Sequence, residues 1–515
     1  MAAIIQAAKA VASRLRALFA SERVVVGLIL FAAIVTRLYQ LGEESFWLDE
    51  ATTFHRAKLP LSELVADAVK AYHNPTYFVL IHYWMKLGDS ELMLRLPSAL
   101  FGILQVPVVY VLGRIAAGRW AAFAAALAIC LNLKVVHYSQ EARMYALECL
   151  AASVAMAGLV WLVAHPEEAS ARFWQRAREG AVRSSAATPA ARRAWIAFVV
   201  GAIVSLYCHA TAVLFVVACS VVALLFLAVR SAERRGFFVN WVVANVLVLL
   251  AFSPFMPSLF GQADAMGEKG FWLGDPTSDT VLSSLRSVFL YGNRSLVLAA
   301  LVAVFALLGS YGLRKKPLVL STLWLLTALG PALLLIASLR QPVFIPRLYL
   351  WSVAPFSVIV GVGMVLPRFE LLKVALCLAF TVLGGYWLYR GYYAYRVKPD
   401  WYEAINLVAE RLKPGERVIA IARRERRLLG YYFERKSRPI PAFDYREVTG
   451  SSDEKVDALV GNARAVWTIQ GRRWDTADKV RAKLLARGRR GVQRHFGGDV
   501  SVERYTIRSE KKRSE

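Results

Sequence analysis

Charge and organised cysteine are both scarce in this chain. Only 19% of its 515 residues are charged while 57% are hydrophobic, which excludes an ordinary soluble enzyme of this size and places the chain in a bilayer. The cysteines Cys130, Cys149, Cys208, Cys219 and Cys377 lie in or beside apolar stretches without paired spacing, so neither a disulfide framework nor a zinc site is indicated. Acidic residues are few as well: 37 against 63 Lys and Arg, for a net charge of +26. In a soluble protein that excess would suggest nucleic acid. Here the basic residues cluster between apolar runs, where they act as topology signals, and no nucleic-acid partner is expected.

What the chain does have is long apolar runs. Crossing a hydrocarbon core takes roughly 20 apolar residues, and about eleven runs approach that length. They centre on 24–41, 92–114, 119–137, 143–164, 194–208, 211–230, 237–257, 296–313, 318–339, 344–366 and 370–391. The basic groups at the N-terminus, Arg114/Arg119, 172–193, Arg230/Arg234/Arg235, Arg314/Lys315/Lys316 and Arg368/Lys373 fall on one side of alternate spans, which predicts that side to be cytoplasmic. The expected fold class is therefore an α-helical polytopic membrane protein with a small C-terminal α/β domain. Its expected parts are a cytoplasmic interfacial segment 1–23, a transmembrane domain 24–392 with a first periplasmic loop 42–91, and a periplasmic α/β domain 393–515.

In the first loop, 59–71 predicts a surface helix with Leu61, Leu64, Val65 and Ala68 on one face. The C-terminal region predicts helices over 401–412 and 427–434 and strands over 417–422 and 463–469. It contains no G-x-G-x-x-G, Walker-type loop or H-E-x-x-H, and no chemistry is assigned to it. The Lys/Arg-rich tail from Lys511 reads as a solvated end.

Three polar segments stand out on the outer side. Phe46-Trp47-Leu48-Asp49-Glu50 sets two carboxylates beside a bilayer surface, either as working acids or as a pair favoured by a helix N-terminus. Adjacent helical residues diverge by about 100°, so one acid serves the reaction and the other supports it; Asp49 is the expected working group and Glu50 its support. Tyr72-His73-Asn74-Pro75-Thr76-Tyr77 re-enters apolar sequence, reading either as part of a site or as a turn with an interfacial His and Tyr. His137-Tyr138-Ser139-Gln140-Glu141-Ala142-Arg143-Met144-Tyr145 heads the fourth span. There Ser139 is the expected N-cap, with Gln140 and Arg143 on one helix face as an anion site for a lipid phosphate.

Weaker signals are His209 in a tight turn, where a lone histidine is more often structural, and Arg340 and Arg347, which either contact phosphate or cap a helix end. Arg37 and Arg95 lie near span ends, where they are expected to snorkel. Lys269 and Trp272 occupy a loop of lid length.

In order along the chain, the Asp-Glu pair, the His-x-Pro-x-Tyr segment, the Tyr-Ser-Gln-Glu-Ala-Arg-Met-Tyr stretch, the Arg-x-Tyr at Arg347 and the Lys-Pro-Asp-Trp beginning at Lys398 resemble one family. It is the bacterial dolichyl-phosphate-mannose-protein-mannosyltransferase-like family (glycosyltransferase family 39-like), which includes the transferases that add galacturonic acid or aminoarabinose to lipopolysaccharide. The resemblance implies the C-type glycosyltransferase fold, polyprenyl-phosphate-linked sugar donors and inversion at the anomeric carbon. Carried over by motif, Asp49 is the catalytic carboxylate, and His73, Glu141, Arg143 and Tyr145 line the site. Relatives often have His-Pro-Pro-Leu-Tyr where this chain has His73-Asn74-Pro75-Thr76-Tyr77, which puts sugar or acceptor preference in doubt.

The expected function is thus transfer of a sugar from a polyprenyl-phosphate carrier to a lipid, lipopolysaccharide, glycan or protein, at the periplasmic face of a bacterial inner membrane. Asp49 and Glu50 are the expected catalytic pair, with His73, Gln140, Glu141, Arg143, Tyr145, His209 and Arg347 as substrate-binding residues. No metal or other cofactor is expected, although paired surface carboxylates could recruit a divalent ion. The competing readings are a transporter or flippase of lipid-linked saccharides, and a ligase using them. A transporter calls for internal repeats or broken helices with midplane charges, and a ligase leans on a large outer loop later in the chain.

Overall fold

A computed structural model of the chain describes residues 6, 21–71, 73–172, 187–259, 261, 274–291, 295–395, 398–420, 425–434, 445–447, 453–471, 475–497 and 500–508. The expected segment 1–23, Lys269, Trp272 and the tail from Lys511 lie almost wholly outside these residues. Through the first loop run α1 (Glu22–Leu38), α2 (Leu48–Ala57), α3 (Leu61–Lys70) and α4 (Thr76–Trp84). Then follow α5 (Glu91–Ala117), α6 (Arg119–Leu131), α7 (Leu133–Ser139), α8 (Tyr145–Ala164), α9 (Pro189–Cys208), α10 (Ala212–Val229), α11 (Arg234–Phe252) and α12 (Ser278–Phe289). The last apolar helices are α13 (Leu296–Gly312), α14 (Pro317–Ser338), α15 (Val353–Met364) and α16 (Glu370–Leu388).

Seven helices among the described residues are long and apolar enough to cross a membrane: α5, α8, α9, α10, α11, α14 and α16, with α11 and α16 running on past their regular ends. The pair α6 and α7 meets the same test as one span broken by 63°. The shorter α1, α13 and α15 occupy the three remaining apolar runs. The protein is a multi-pass helical membrane protein. Its basic clusters sit at helix ends: Arg114 closes α5, Arg119 opens α6, and Arg314, Lys315 and Lys316 separate α13 from α14.

The break between α6 and α7 has a local cause. Asn132 ends α6, and its side-chain oxygen accepts the Val135 N–H at the start of α7. Arg37, expected to snorkel, is instead fully buried. Its guanidinium donates to the Cys130 and Ile129 carbonyls at the C-terminus of α6, at 2.7 and 3.3 Å, satisfying acceptors that the helix leaves open. A charge shut away from water needs such partners. Arg95 is likewise buried rather than extended to a surface. All five cysteines are free and buried.

Contacts divide the chain into two compact units. One comprises Met1–Tyr39, Val65–Tyr77 and Arg95–Tyr392; the other comprises Gln40–Leu64, Phe78–Leu94 and Tyr393–Glu515. Most of the first loop, expected to belong with the spans, therefore groups with the C-terminal region.

The second unit carries α17 (Trp401–Arg411), α18 (Glu425–Glu434), α19 (Asp453–Val460) and α20 (Asp475–Arg487) with a five-stranded sheet. Its strands are β1 (Glu416–Ala420), β2 (Tyr445–Glu447), β3 (Ala465–Gln470), β4 (Gly488–Phe496) and β5 (Val500–Ile507), ordered β2-β1-β3-β5-β4. β1 pairs parallel with β2 and β3, while β5 pairs antiparallel with β3 and β4. Ile419, Val466 and Tyr505 pack with Val456, Val460, Val480 and Leu484 in one apolar cluster. The β4–β5 hairpin lies beyond the expected strands, and so do β2, α19 and α20.

Within the first unit, α13 and α15 cross where Gly309 and Gly363 face each other's helix. A methyl group on Gly309 would collide with the Ile359 carbonyl, and one on Gly363 with the Phe305 carbonyl. Small residues at such crossings let backbones meet where no water is available to drive association. Gly363→Val is expected to destabilise the membrane unit by about 1–3 kcal/mol or more, read as a lower Tm in detergent. An unchanged Tm would mean that the two helices do not meet at this point.

Candidate functional site

The polar side chains singled out in the sequence fall into two groups, one in each compact unit. In the unit holding the first loop, α2 begins at Leu48, directly after the extended residue Trp47. Glu50 is the third helical residue, and its carboxylate reaches back to accept the Trp47 N–H at 3.3 Å, as in one half of a capping box. The same carboxylate receives Lys398 Nζ at 3.1 Å on both oxygens, with Glu50 fully buried. Asp49, one residue earlier, is turned away by the helical step and half-buried. Among the described residues its carboxylate takes no hydrogen bond or ion pair. The two acids thus differ as the helical geometry demands: one is locked, one is open.

The surroundings of α2 are fixed from the C-terminal region. Tyr432 Oη accepts the Phe46 N–H at 2.6 Å, and the Tyr431 ring packs on Phe46 and Phe54 with centroids 4.6 and 4.7 Å away. Arg427 Nη1 donates to Thr52 Oγ1, and the Arg427 carbonyl accepts from the His55 ring. Ser45 Oγ accepts the Tyr402 N–H.

In the membrane unit, the segment around Tyr138 is not the start of one helix. His137, Tyr138 and Ser139 end α7, residues 140–144 form an irregular turn, and α8 starts at Tyr145. Ser139 is therefore no N-cap; its hydroxyl donates to the Val135 carbonyl inside α7. Nor do Gln140 and Arg143 share a helix face. Gln140 Nε2 donates to the Arg37 and Tyr39 carbonyls at 3.0 and 2.8 Å, tying the turn to the end of α1. The turn is also held by Tyr77, whose hydroxyl pairs with Ser98 Oγ, which in turn donates to the Arg143 carbonyl at 2.9 Å. Asn74 Nδ2 donates to the Leu206 carbonyl of α9.

These constraints gather a cationic and aromatic cluster around Tyr145. Arg143, itself buried, lies with its guanidinium carbon 5.8 Å from the Tyr145 ring centre. Arg347, carried on the single turn Pro346–Leu348, lies 5.7 Å from the same ring. Both are within cation–π range. The Tyr138 ring is 5.4 Å and the His209 ring 6.1 Å from Tyr145. Glu141 pairs with His137 at 2.9 Å through one oxygen, while its buried Oε2 has no hydrogen-bond partner among the described residues. His73, held by its Nδ1 to the Ala71 carbonyl, stands close enough to His209 to act on its charge.

His209 keeps some accessible surface, yet neighbouring atoms enclose it. Burial first, and then the positive fields of His73, Arg143 and Arg347, lower its pKa from the ordinary 6.5 to about 3. It is therefore neutral at physiological pH. Its Nδ1 accepts the Thr211 N–H at 3.2 Å, which assigns the ring proton to Nε2 and makes that atom a donor.

Of the expected binding residues, the structure brings Glu141, Arg143, Tyr145, His209, Arg347 and His73 to one cluster, and commits the Gln140 amide to backbone. Arg340 is exposed. Tyr138 and His137 belong to the cluster although neither was singled out; both lie within the stretch that drew attention. Lys398 was missed as a partner, since 348 positions separate it from Glu50. Among the described residues no three His, Cys, Asp or Glu side chains form a potential metal-ligand set.

No protein-family model matches the chain, and no curated protein matches it in sequence. Solved structures do match in fold. ArnT from Cupriavidus metallidurans in the apo state superposes with a TM-score of 0.57 at 13% identity, covering 93% of this chain and 97% of that one. The archaeal oligosaccharyltransferase AglB from Archaeoglobus fulgidus, solved with an inhibitory peptide and a dolichol-phosphate, gives 0.53 at 12% identity, covering 86% of this chain and 69% of the other. The Archaeoglobus fulgidus oligosaccharyltransferase solved with Zn and sulfate gives 0.54 at 12% identity, with coverage of 86% and 67%. The chain has the C-type glycosyltransferase fold, a helical membrane domain with a small C-terminal α/β domain.

The shifted His209 has a measurable signature. Below pH 6.5 the unfolded chain takes up a proton that the folded one refuses until about pH 3, so folded stability falls as pH drops through that window. His209→Gln is expected to flatten this acid-side fall in Tm. A slope identical to that of the parent protein would mean that the imidazole is not held neutral.

Proposed function

We propose that the protein is an inverting glycosyltransferase of a bacterial inner membrane, which moves a sugar from a polyprenyl-phosphate carrier to a hydroxyl of a lipid, lipopolysaccharide, glycan or protein on the periplasmic face. The observation that carries this reading is the pair of guanidiniums, Arg143 and Arg347, gathered on one buried tyrosine beside a histidine kept neutral. Two arginines suit the oxygens of a phosphate monoester, and an imidazole N–H adds a further donor. The fold supports the carrier class, since an oligosaccharyltransferase that shares it was solved with a dolichol-phosphate. The alternation of basic helix ends supports the sidedness.

In this reading the acceptor oxygen attacks the anomeric carbon as the bond from that carbon to the phosphate oxygen breaks. Asp49, with its carboxylate uncommitted, takes the hydroxyl proton. The phosphate leaves with the bonding electrons, and Arg143 and Arg347 stabilise the charge it gains. A single displacement inverts the anomeric centre. Glu50 holds the helix that carries Asp49, while His73, Glu141, Tyr145 and His209 shape the donor site and Gln140 fixes the turn beneath it. Arginine can stabilise a lipid monophosphate without a divalent ion, so the step is written without one.

With purified protein and a labelled polyprenyl-phosphate sugar, Asp49→Asn is expected to lower transfer by about 10²–10⁴-fold while leaving donor binding intact. Full activity in that variant would remove Asp49 from the reaction. Arg143→Ala and Arg347→Ala are each expected to weaken donor binding by about 10–100-fold, corresponding to the loss of one charge-assisted hydrogen bond. Unchanged donor affinity in both would sink the phosphate site.

A further inference from the structure

We propose that Lys398, from the segment that opens the C-terminal region, is a positioning residue for Asp49. This inference rests on the reading of Asp49 as the group that takes the acceptor proton. Lys398 does not touch Asp49; it acts through Glu50. Its ammonium sits 3.1 Å from both Glu50 oxygens, with Glu50 at 0% and Lys398 at 5% exposure, so the pair is closed to water. The Glu50 carboxylate also accepts the N–H of Trp47, the residue directly before α2. One side chain therefore fixes both where the helix begins and how it is rotated. Asp49 lies inside that bracket, between Trp47 and Glu50, and its direction follows from theirs.

Further bonds hold the same two segments together. The Lys398 N–H donates to Glu44 Oε1, Ser45 Oγ donates to Asp400 Oδ1, and Ser45 Oγ accepts the Tyr402 N–H. Asp400 also caps α17, which makes the gripping segment rigid. The remote residues thus form a clamp on 44–50, and the ammonium is its charged centre. Without it, the buried Glu50 carboxylate loses an ammonium that meets both of its oxygens, which favours taking up a proton or turning towards water. Turning away releases the Trp47 N–H, and protonation removes the charge that the ammonium grips; both loosen the first turn of α2, where Asp49 sits. A shift of about 1 Å in a reacting group costs on the order of 10²-fold in rate.

The test measures transfer kinetics of full-length Lys398→Met, Lys398→Arg and Glu50→Gln well below their melting temperatures, with rates expressed per folded molecule. Lys398→Met and Glu50→Gln are expected to lower kcat by roughly 10–100-fold while KM for the lipid-linked donor stays within about 3-fold. Lys398→Arg, which keeps a cation able to grip both oxygens, is expected to recover most of kcat. Should Lys398→Met fail to fold, Glu50→Gln still decides, because it keeps the side-chain shape and the acceptor for Trp47. An unchanged kcat with a lower Tm would make the pair structural only and overturn the proposal, as would a raised KM at constant kcat. Asp49→Asn is run alongside. If it is inactive while Lys398→Met and Glu50→Gln keep full kcat, the positioning role alone falls; if Asp49→Asn is fully active, the reading of Asp49 falls and takes the positioning role with it.

Discussion

The cost of burying charge without a partner organises this protein. A hydrocarbon surround offers nothing to a guanidinium or a carboxylate, so each one inside must be met by the protein itself. Arg37 is met by the carbonyls that end α6. Glu50 is met by Lys398, and Glu141 in part by His137. Arg143 and Arg347 lie against the ring of Tyr145. The first two partnerships fix helix ends, and those ends position the open groups. Asp49 and the unsatisfied Glu141 Oε2 stand out against that background, as polar atoms the fold has not used.

Much of the architecture was legible in the sequence because membrane spans leave a compositional trace that no tertiary contact can erase. Apolar runs bounded by basic residues became α5, α8, α9, α10, α11, α14 and α16 near their expected limits. The helix expected over 59–71 emerged as α3 because its apolar residues recur at helical spacing. The failures have local causes. Ser139 followed by a long apolar run resembles a helix start, but Asn132 had already opened α7, and the chain turns between residues 140 and 144. The β4 strand escaped notice because it is the sheet's edge: Arg489, Arg490, Arg494 and His495 are exposed, so no alternation of apolar residues marks it. Arg37 and Arg95 were expected to reach water because nothing in the sequence announces the carbonyls or neighbours that receive a buried guanidinium.

The site was legible in part. The stretch from Tyr138 to Tyr145 attracted attention through residue types that are costly in a membrane, and it does hold the centre of the cluster. The reason first given, a helix N-terminus with Gln140 and Arg143 on one face, was incorrect; the turn aims Arg143 by tying its carbonyl to Ser98 and Tyr77. Adjacency separates Asp49 from Glu50, since a helix cannot point neighbouring residues the same way, and Glu50 alone of the two is held by Lys398. The identity of the cation that holds Glu50 was out of reach, because a partner 348 positions away leaves no local pattern.

The central claim is that the cluster around Tyr145 receives the phosphate of a lipid-linked sugar. A structure of the protein with bound polyprenyl phosphate tests it most directly. The account predicts phosphate oxygens within about 3 Å of the Arg143 and Arg347 guanidiniums. A phosphate held elsewhere, with both arginines unengaged, would contradict it.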